Sequence, residues 1–347
     1  MESDVSVVIS TYNRPKLLIR AIQSVEAQTA LPKEILVIGD NCSAETQSLL
    51  SEYGSSLCVK YINLNFRCGE QSIPNRVGSE LAKGKFVAFL NHDDVWLPNH
   101  LEVGLEAINR SGLSWFVGQC AFFERIKMTT GVLEATGTTP VIRGIDQAYS
   151  AVDTYFEPAS SWVISRAALQ EVPWRSASSA HRTPLADIAL RICRKFGDPA
   201  IHPEPTVLKV MGPIRGKPSY LDESDISQKI TELAATRNAE WQSALSLDAE
   251  ESKQRLRPRY SLHVGIHARI TELLSGQVCL TIFKVFGFDS LGRYSARVLG
   301  GNQIIFSKLV QQRTGEKFIQ DKQILKTLDS SQFSIHYLGK HDGCECS

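Results

Sequence analysis

The stretch at residues 86–96, FVAFLNHDDVW, constrains the fold of this chain more than any other. Its first five residues, 86–90, form a continuous hydrophobic run whose length and bulk are typical of a strand buried on both faces. The run ends abruptly in four polar residues, Asn91, His92, Asp93 and Asp94. Because adjacent carboxylates beside a buried strand are costly alone, we expect a cation near them.

A divalent cation suits this position. Hard cations take carboxylate oxygens as ligands and bridge them to phosphate groups. Open α/β sheets bind their ligands at the carboxyl ends of parallel strands. The stretch therefore predicts a metal and diphosphate site, with Asp93 and Asp94 as metal ligands. The alternative is an acidic turn that caps the next helix.

The first hundred residues alternate between strand-like and helix-like segments. Apolar, largely β-branched runs predict strands at 5–9, 35–38, 59–62 and 86–90. Amphipathic segments predict helices at 15–28 and 99–109. A turn and helix cap at 39–43 predicts a helix at 45–53, and a stop at Lys83 and Gly84 ends another at 75–82. Further along, we predict strands at 113–123 and 207–211. We predict helices at 167–171 and after the segment 181–187, the latter continuing to residue 194. This alternation predicts a parallel, doubly wound α/β sheet.

Three segments resemble glycosyltransferase family 2, the nucleotide-sugar-dependent transferases with the A-type fold. They are SVVISTYNRP at 6–15, EILVIGDNCS at 34–43 and GKFVAFLNHDDVWLP at 84–98, in the family's order and separation. The resemblance covers residues 1–120. It implies a doubly wound, mostly parallel sheet and a metal-dependent enzyme. Such an enzyme moves a sugar, with inversion, from a nucleoside diphosphate sugar to an acceptor hydroxyl.

The sequence departs from the family pattern at three carboxylate positions. Gly39 replaces the first of two carboxylates in the second-strand motif, which leaves Asp40 alone to bind the nucleobase. Asn91 stands where the first Asp of the metal motif often lies. Ala186 replaces a Glu, whereas the following Asp187 remains as the implied catalytic base. The alternative is that Asp187 only complements the dipole of its helix.

The resemblance also implies contacts with the nucleotide sugar. The turn at Thr11 positions the nucleoside, and Arg76 reaches a phosphate, although the family's usual Arg-Asn order is reversed here. His92 contacts the ribose or supports the metal ligands. The complete implied set is Thr11, Asn13, Arg14, Asp40, Arg76, Asn91 and His92. The implied cofactor is a divalent cation, Mn²⁺ or Mg²⁺, held by Asp93 with Asp94 beside it.

The C-terminal third contains no motif that can be assigned. Its apolar residues recur at helical spacing, which predicts a mainly helical extension at 221–347. Its most apolar run, 278–288, is interpreted as a core helix, with a membrane-facing or subunit-facing patch as the alternative. The preceding transferase domain, 1–220, divides into a nucleotide-sugar and metal half at 1–118 and an acceptor half at 119–220.

Composition limits the partners and the compartment. The formal net charge of +1 gives no basis for nucleic-acid binding. No apolar run approaches the roughly 18 residues that a membrane span needs. The eight scattered cysteines, without a signal peptide, predict reduced thiols in the cytoplasm. Contact with the inner face of the membrane and self-association through 221–347 stay open.

The acceptor implied by the resemblance is a glycan or a lipid-linked oligosaccharide, in cell-surface polysaccharide synthesis. A sugar nucleotidyltransferase shares the fold, but it would carry a Gly-rich phosphate loop after the first strand, and TYNRP at 11–15 is not one. A second alternative is an inactive family member that only binds nucleotide sugars or serves as a scaffold. The carboxylates missing at Gly39, Asn91 and Ala186 keep that alternative open.

Overall fold

The computed structural model describes residues 3–124, 135–138, 158–177, 184–211, 311 and 335–338. Within these ranges the strands form one sheet with helices on both faces. The predicted α/β fold is confirmed.

The N-terminal part follows the predicted alternation closely. Its elements are β1 (Val5–Thr11), α1 (Pro15–Glu26), β2 (Glu34–Gly39), α2 (Ala44–Tyr53), β3 (Val59–Asn63), α3 (Ser72–Leu81), β4 (Phe86–Asn91), β5 (Asp94–Trp96) and α4 (His100–Ser111). The later elements are β6 (Trp115–Glu124), β7 (Ala135–Thr138), a 3₁₀ turn (Ala159–Ser161), β8 (Trp162–Ser165), α5 (Arg166–Glu171), α6 (Pro184–Phe196), β9 (Ala200–Met211) and β10 (Ile335–Leu338).

The strand order is β10-β3-β2-β1-β4-β8-β6-β9-β5, and β7 pairs with β6. The strands β3, β2, β1 and β4 are mutually parallel. Because β8 is antiparallel to both β4 and β6, β6 and its parallel neighbour β9 run in the direction of β4. The described sheet is therefore mostly parallel, and its reversed strands are β5, β7, β8 and β10.

Two hydrophobic layers enclose the sheet. Val8 of β1 belongs to the layer that contains α3, α5 and α6, whereas its neighbours Val7 and Ile9 belong to the layer that contains α1, α2 and α4. Every residue of β1 and β2 is buried, as expected for strands covered on both faces. The α3 helix packs closely on the sheet, because a Cβ atom at Gly78 would lie 2.4 Å from Val8 Cγ1.

The C-terminal extension is described only at residue 311 and in β10. The predicted helices of 221–347 and the apolar run 278–288 lie outside the described residues. The β10 strand pairs antiparallel with β3 at one edge of the sheet, with Leu338 opposite Val59. The division at residue 220 stays a prediction. Among the described helices, none is long and apolar enough to cross a membrane.

Candidate functional site

A cavity of about 550 Å³ lies where β1, β2 and β4 end. Its lining contains Thr11, Arg14, Asp40, Asn91, His92 and Asp93 from the residues predicted by sequence. It also contains Ser10, Tyr12, Arg67, Gly69, Glu70, Gln71, Pro74 and Lys209. Because the carboxyl ends of parallel strands meet at one edge of the sheet, residues far apart in the sequence converge here.

The turn after β1 is hydrogen-bonded to the residue that precedes α2. Asn13 adopts a left-handed backbone conformation, with a φ of 43°. Its side-chain Oδ1 accepts a hydrogen bond of 2.7 Å from the backbone N–H of Ser43, the residue that precedes α2. Asn13 therefore fixes the turn and is not among the lining residues.

Asp40 holds the loop between β3 and α3. Its carboxylate accepts hydrogen bonds from the backbone N–H groups of Cys68 and Gly69, the latter at 2.8 Å. Burial raises the pKa of Asp40, and the hydrogen bonds from Cys68 and Gly69 oppose that rise. Asp40 thus shapes the cavity wall that contains Gly69. Its contact with a nucleobase stays a prediction.

The position of Gly39 has no room for the carboxylate that the family resemblance implies there. A Cβ atom at Gly39 would lie 2.5 Å from Asn63 Oδ1. That oxygen accepts a hydrogen bond of 2.8 Å from Cys42 N–H, and Asn63 Nδ2 donates one of 2.9 Å to the Cys42 carbonyl. Asn63 therefore fills the space and holds the turn after β2.

Tyr12, Arg67 and Glu70 are among the lining residues that the sequence analysis missed. The guanidinium of Arg67 lies 3.8 Å from the centre of the Tyr12 ring. Glu70 accepts hydrogen bonds from the backbone N–H and the hydroxyl of Ser72, at 2.7 and 2.6 Å. Burial raises the pKa of Glu70 to about 7. The local sequence gave no signal for Arg67 and Glu70, because their role depends on the path of the loop between β3 and α3.

His92 links the ends of β1 and β4. Its Nδ1 lies 3.1 Å from the carbonyl of Ser10, which can only accept, so Nδ1 carries the proton. Its Nε2 then accepts from Arg14 Nη1 at 3.3 Å. Burial lowers the pKa of His92, in agreement with a neutral ring. Arg14 also forms an ion pair of 3.5 Å with Asp93.

The adjacent residues Asp93 and Asp94 lie in opposite environments. The side chain of Asp93 is 37% exposed and lines the cavity. Burial acts to raise the pKa of Asp93, but the nearby cations Lys209 and Arg14 oppose it, and the pKa lies below its usual value. Asp94 is fully buried and does not appear in the cavity lining.

Asp94 accepts hydrogen bonds from three side chains. Its Oδ2 accepts from Asn91 Nδ2 at 2.9 Å and from the Ser160 hydroxyl at 2.5 Å. Lys209 Nζ lies 3.0 and 3.1 Å from its two oxygens. Metal binding by Asp94 stays a prediction, but the oxygens that it would use are already engaged by these three side chains.

Lys209 reaches the site from a distant part of the chain. Its strand β9 pairs antiparallel with β5, which places Lys209 directly opposite Asp94. Burial acts to lower the pKa of Lys209, but Asp94 and Asp93 outweigh it and raise the pKa, so the side chain is an ammonium. No local sequence signal identifies Lys209, because its role depends on pairing between strands 115 residues apart.

The donor set determines which metal ion would fit. Across the described residues, no group of three or more His, Cys, Asp or Glu side chains could enclose an ion. Mg²⁺, however, is commonly held by one or two carboxylates together with substrate phosphates and water. Asp93 is exposed enough for that role, and Asn91 lies beside it in the cavity wall. The site therefore fits an ion that binds together with a diphosphate.

Comparison with known proteins identifies this domain. Residues 6–172 match the family described as Glycosyl transferase family 2. The chain carries a glycosyltransferase family 2 domain. The cavity residues up to Asp93 lie inside the matched range, whereas Lys209 and Asp187 lie beyond it.

Curated relatives of this family 2 domain include two glucosyltransferases. The UDP-Glc:alpha-D-GlcNAc-diphosphoundecaprenol beta-1,3-glucosyltransferase WfgD of Escherichia coli is 30% identical over 114 residues, which are 33% of this chain and 44% of WfgD. The GalNAc(5)-diNAcBac-PP-undecaprenol beta-1,3-glucosyltransferase of Campylobacter jejuni is 32% identical over 117 residues, which are 33% of this chain and 37% of the relative. The match thus spans less than half of either relative.

Among solved structures, S. aureus TarS in complex with UDP-GlcNAc is 14% identical, with a TM-score of 0.48. The likeness covers 90% of this chain and 92% of that chain.

The predicted base lies apart from the cavity lining. Asp187 is 7% exposed in the first turn of α6, where its Oδ2 accepts from Arg191 Nε at 2.7 Å. Its Oδ1 lies 3.8 Å from Arg175 Nη1. Arg76, predicted to reach a phosphate, instead points Nη1 at the carbonyl of Trp174, 3.5 Å away. Neither Asp187 nor Arg76 lines the cavity, so both roles stay predictions.

Proposed function

We propose that this protein is an inverting glycosyltransferase that uses a nucleoside diphosphate sugar. The observation that carries the proposal is the cavity at the strand ends, which combines an exposed carboxylate, Asp93, with the cations Arg14 and Arg67 of the family 2 domain and with Lys209 from β9. We propose that the acceptor is a glycan or a lipid-linked oligosaccharide and that the enzyme acts in cell-surface polysaccharide synthesis. The names of the two glucosyltransferases support that assignment. We further propose that the reaction takes place in the cytoplasm.

The nucleoside end of the donor is assigned to the wall around Asp40. The stacked side chains of Tyr12 and Arg67 offer flat surfaces, and base–aromatic stacking contributes about 1–3 kcal/mol in nucleic-acid complexes. The carboxyl groups of Asp40 and Glu70 line the same wall and can accept from base N–H groups. These contacts orient the donor and take no part in bond making.

The diphosphate end is assigned to the wall around Asp93. We propose that Asp93, with Asn91 beside it, holds a Mg²⁺ or Mn²⁺ ion that accompanies the donor. When bound, the ion stabilises the negative charge that develops on the departing nucleoside diphosphate. Arg14 fixes Asp93 by its ion pair and hydrogen-bonds the neutral His92.

Transfer requires one bond to form and one to break. The acceptor oxygen attacks C1 of the sugar from the face opposite the diphosphate. The bond between C1 and the phosphate oxygen breaks, and its electron pair leaves with the nucleoside diphosphate. We propose that the acceptor proton passes to Asp187. Arg191 orients that carboxylate, and the 3.8 Å separation from Arg175 leaves Oδ1 able to accept the proton.

A second candidate function is binding of nucleotide sugars without turnover. The engagement of Asp187 by Arg191 and Arg175, away from the cavity lining, favours it. The absence of carboxylates at Gly39 and Asn91 points the same way. Such a protein would bind donors normally and form no product.

The deciding experiment combines binding with product analysis. The full chain is screened by thermal shift against UDP, GDP, ADP, CDP and dTDP sugars, with Mg²⁺ or Mn²⁺. A ligand at a hundred times its Kd stabilises by about 2.7 kcal/mol, so binding is readily detected. Bound donors are then incubated with undecaprenyl-diphosphate-linked sugars and free glycans, and products are identified by mass spectrometry. A glycosylated acceptor supports the transferase. Binding without product supports the second function, and no binding contradicts both.

A further inference from the structure

We propose that Lys209 is a phosphate-binding residue of this cavity, and that its ammonium group holds the donor diphosphate whether or not a divalent ion is present. The inference rests on the proposed function, because it takes the anion to be the donor's diphosphate. It concerns a residue outside the matched family range 6–172. It also predicts a binding contribution that remains in the presence of a chelator.

The position of Lys209 makes the contact feasible. Its side chain lines the cavity together with Asp93 and is 22% exposed. A lysine ammonium carries three N–H donors. Two of them account for the contacts of 3.0 and 3.1 Å with the oxygens of Asp94, so the third can bind an anion in the cavity.

Asp94 anchors the ammonium from behind. It is fully buried on the strand opposite Lys209, and Asn91 and Ser160 fix its Oδ2. Both donors are held by rigid elements, since Asn91 ends β4 and Ser160 lies in the 3₁₀ turn before β8. The ion pair therefore fixes the ammonium in place and maintains its charge, which a long flexible side chain could not achieve alone.

The charges around the diphosphate end favour an anion. Arg14 lies on one side of Asp93, and Lys209 is close enough to lower the pKa of Asp93 as well. Asp94 is fully buried and does not line the cavity. Two cations thus accompany the single open carboxylate Asp93. An ammonium at a fixed position is a common binder of phosphate groups as a point charge.

The test compares a ligand that has the diphosphate with one that lacks it. Ligand-observed NMR titrations with UDP and with uridine are made in EDTA and again in Mg²⁺. The variants are Lys209→Met combined with Asp94→Asn, which removes both buried charges, and Lys209→Arg, which keeps the cation. Lys33→Met is the matched control, because Lys33 is 48% exposed and pairs with Asp4 away from the cavity lining.

In EDTA, we expect the double variant to bind UDP about tenfold or more weakly while its affinity for uridine is unchanged. Lys209→Arg should recover most of the UDP affinity, and Lys33→Met should match the wild type. If the ratio of the affinities for UDP and uridine is the same in the double variant as in the wild type, the inference is overturned and the proposed function stays intact. If the wild type binds none of UDP, GDP, ADP, CDP and dTDP, with or without Mg²⁺, the proposed function itself is wrong.

A second measurement covers failure of the double variant to fold. The wild-type protein, with ¹⁵N-labelled lysine side chains, is titrated with UDP in EDTA. An ammonium resonance that shifts with UDP and is missing from Lys209→Arg supports the inference. The absence of any such lysine resonance, while UDP binds, overturns it.

Discussion

The corner between β4 and β5 and the first turn of α6 both hold a buried carboxylate against cations, but they differ in what remains accessible. At the corner, Asp94 engages Lys209 while Lys209 and the neighbouring Asp93 still line the cavity. At α6, Asp187 is held by Arg191 and Arg175, and none of the three lines the cavity. Donor binding is therefore supported by geometry, whereas the base role of Asp187 rests on the family resemblance.

The largest expected effect is the loss of turnover in Asp187→Asn, which tests the region at α6. Asp187→Asn keeps the shape of the side chain but cannot accept the acceptor proton at neutral pH. We expect turnover to fall by about 10²–10⁴-fold with donor affinity unchanged. Steady-state kinetics and donor titrations measure both quantities.

Glu171→Gln is the matched control for Asp187→Asn, since Glu171 is 53% exposed and pairs with Lys195. If Asp187 has only a structural role, its substitution removes the helix-dipole interaction, which is worth about 0.3–1 kcal/mol, and weakens the ion pair with Arg191, while turnover stays near that of the wild type. A destabilised but fully active Asp187→Asn protein would contradict the base role.

The next effect tests the ion pair at the corner. Lys209→Met leaves Asp94 buried without its cation, so the free energy of unfolding should fall by about 3–5 kcal/mol. Adding Asp94→Asn removes the unpaired charge, and most of the loss should be recovered. Urea unfolding of the single and double variants measures this difference. Equal stability of Lys209→Met and the wild type would show that the buried pair is absent in solution.

A third prediction concerns Gly39, where the family commonly has a carboxylate. Gly39→Ala brings a Cβ atom within 2.5 Å of Asn63 Oδ1, and such overpacking should cost about 1–3 kcal/mol. The same substitution in an Asn63→Ala background should cost less, because the nearest obstructing atom is gone and Tyr61 Oη, at 2.9 Å, is the closest that remains. Equal costs in the two backgrounds, measured by urea unfolding, would mean that Asn63 does not fill this space.

The smallest effect is a pH dependence that arises from Glu70. The pKa of Glu70 is about 7 in the folded protein, whereas a glutamate in the unfolded chain has a pKa near 4.5. Between these two pH values the folded state therefore binds more protons than the unfolded state. Stability from this group is therefore lost as the pH rises from 4.5 to 7, by about 1–3 kcal/mol. Glu70→Gln should remove that part of the slope. Parallel slopes for the variant and the wild type would contradict the assigned pKa.

Local sequence patterns predicted most of the N-terminal fold. The strands β1 to β4 have continuous apolar runs, α1 and α4 have clear amphipathic spacing, and α2 follows a tight turn and helix cap, so each was found within a few residues. The start of α3 was placed at residue 75 and lies at Ser72, because Pro74 falls in the first turn, where proline is tolerated. In β9, Pro203 and Pro205 interrupted the strand pattern, and only its last five residues were predicted.

Features that depend on distant pairing could not be predicted. The three-residue strand β5 exists through its pairing with β9, and β10 through its pairing with β3. Lys209 and Ser160 were missed for the same reason, since their partner Asp94 is 115 and 66 residues away. Of the predicted site, the residues at strand ends converge on the cavity. Those placed by resemblance on helices, Arg76 and Asp187, do not line it.

The central claim is that the cavity binds a nucleoside diphosphate through Asp93 and a metal ion. Calorimetric titration of UDP in the presence of Mn²⁺, compared between Asp93→Ala and Asn91→Ala, tests it most directly. The account predicts that Asp93→Ala abolishes the Mn²⁺-dependent part of binding, because it removes the open carboxylate. Asn91→Ala should weaken binding only modestly, because its side-chain N–H group is directed to the buried Asp94. Equal tolerance of both substitutions would contradict the account.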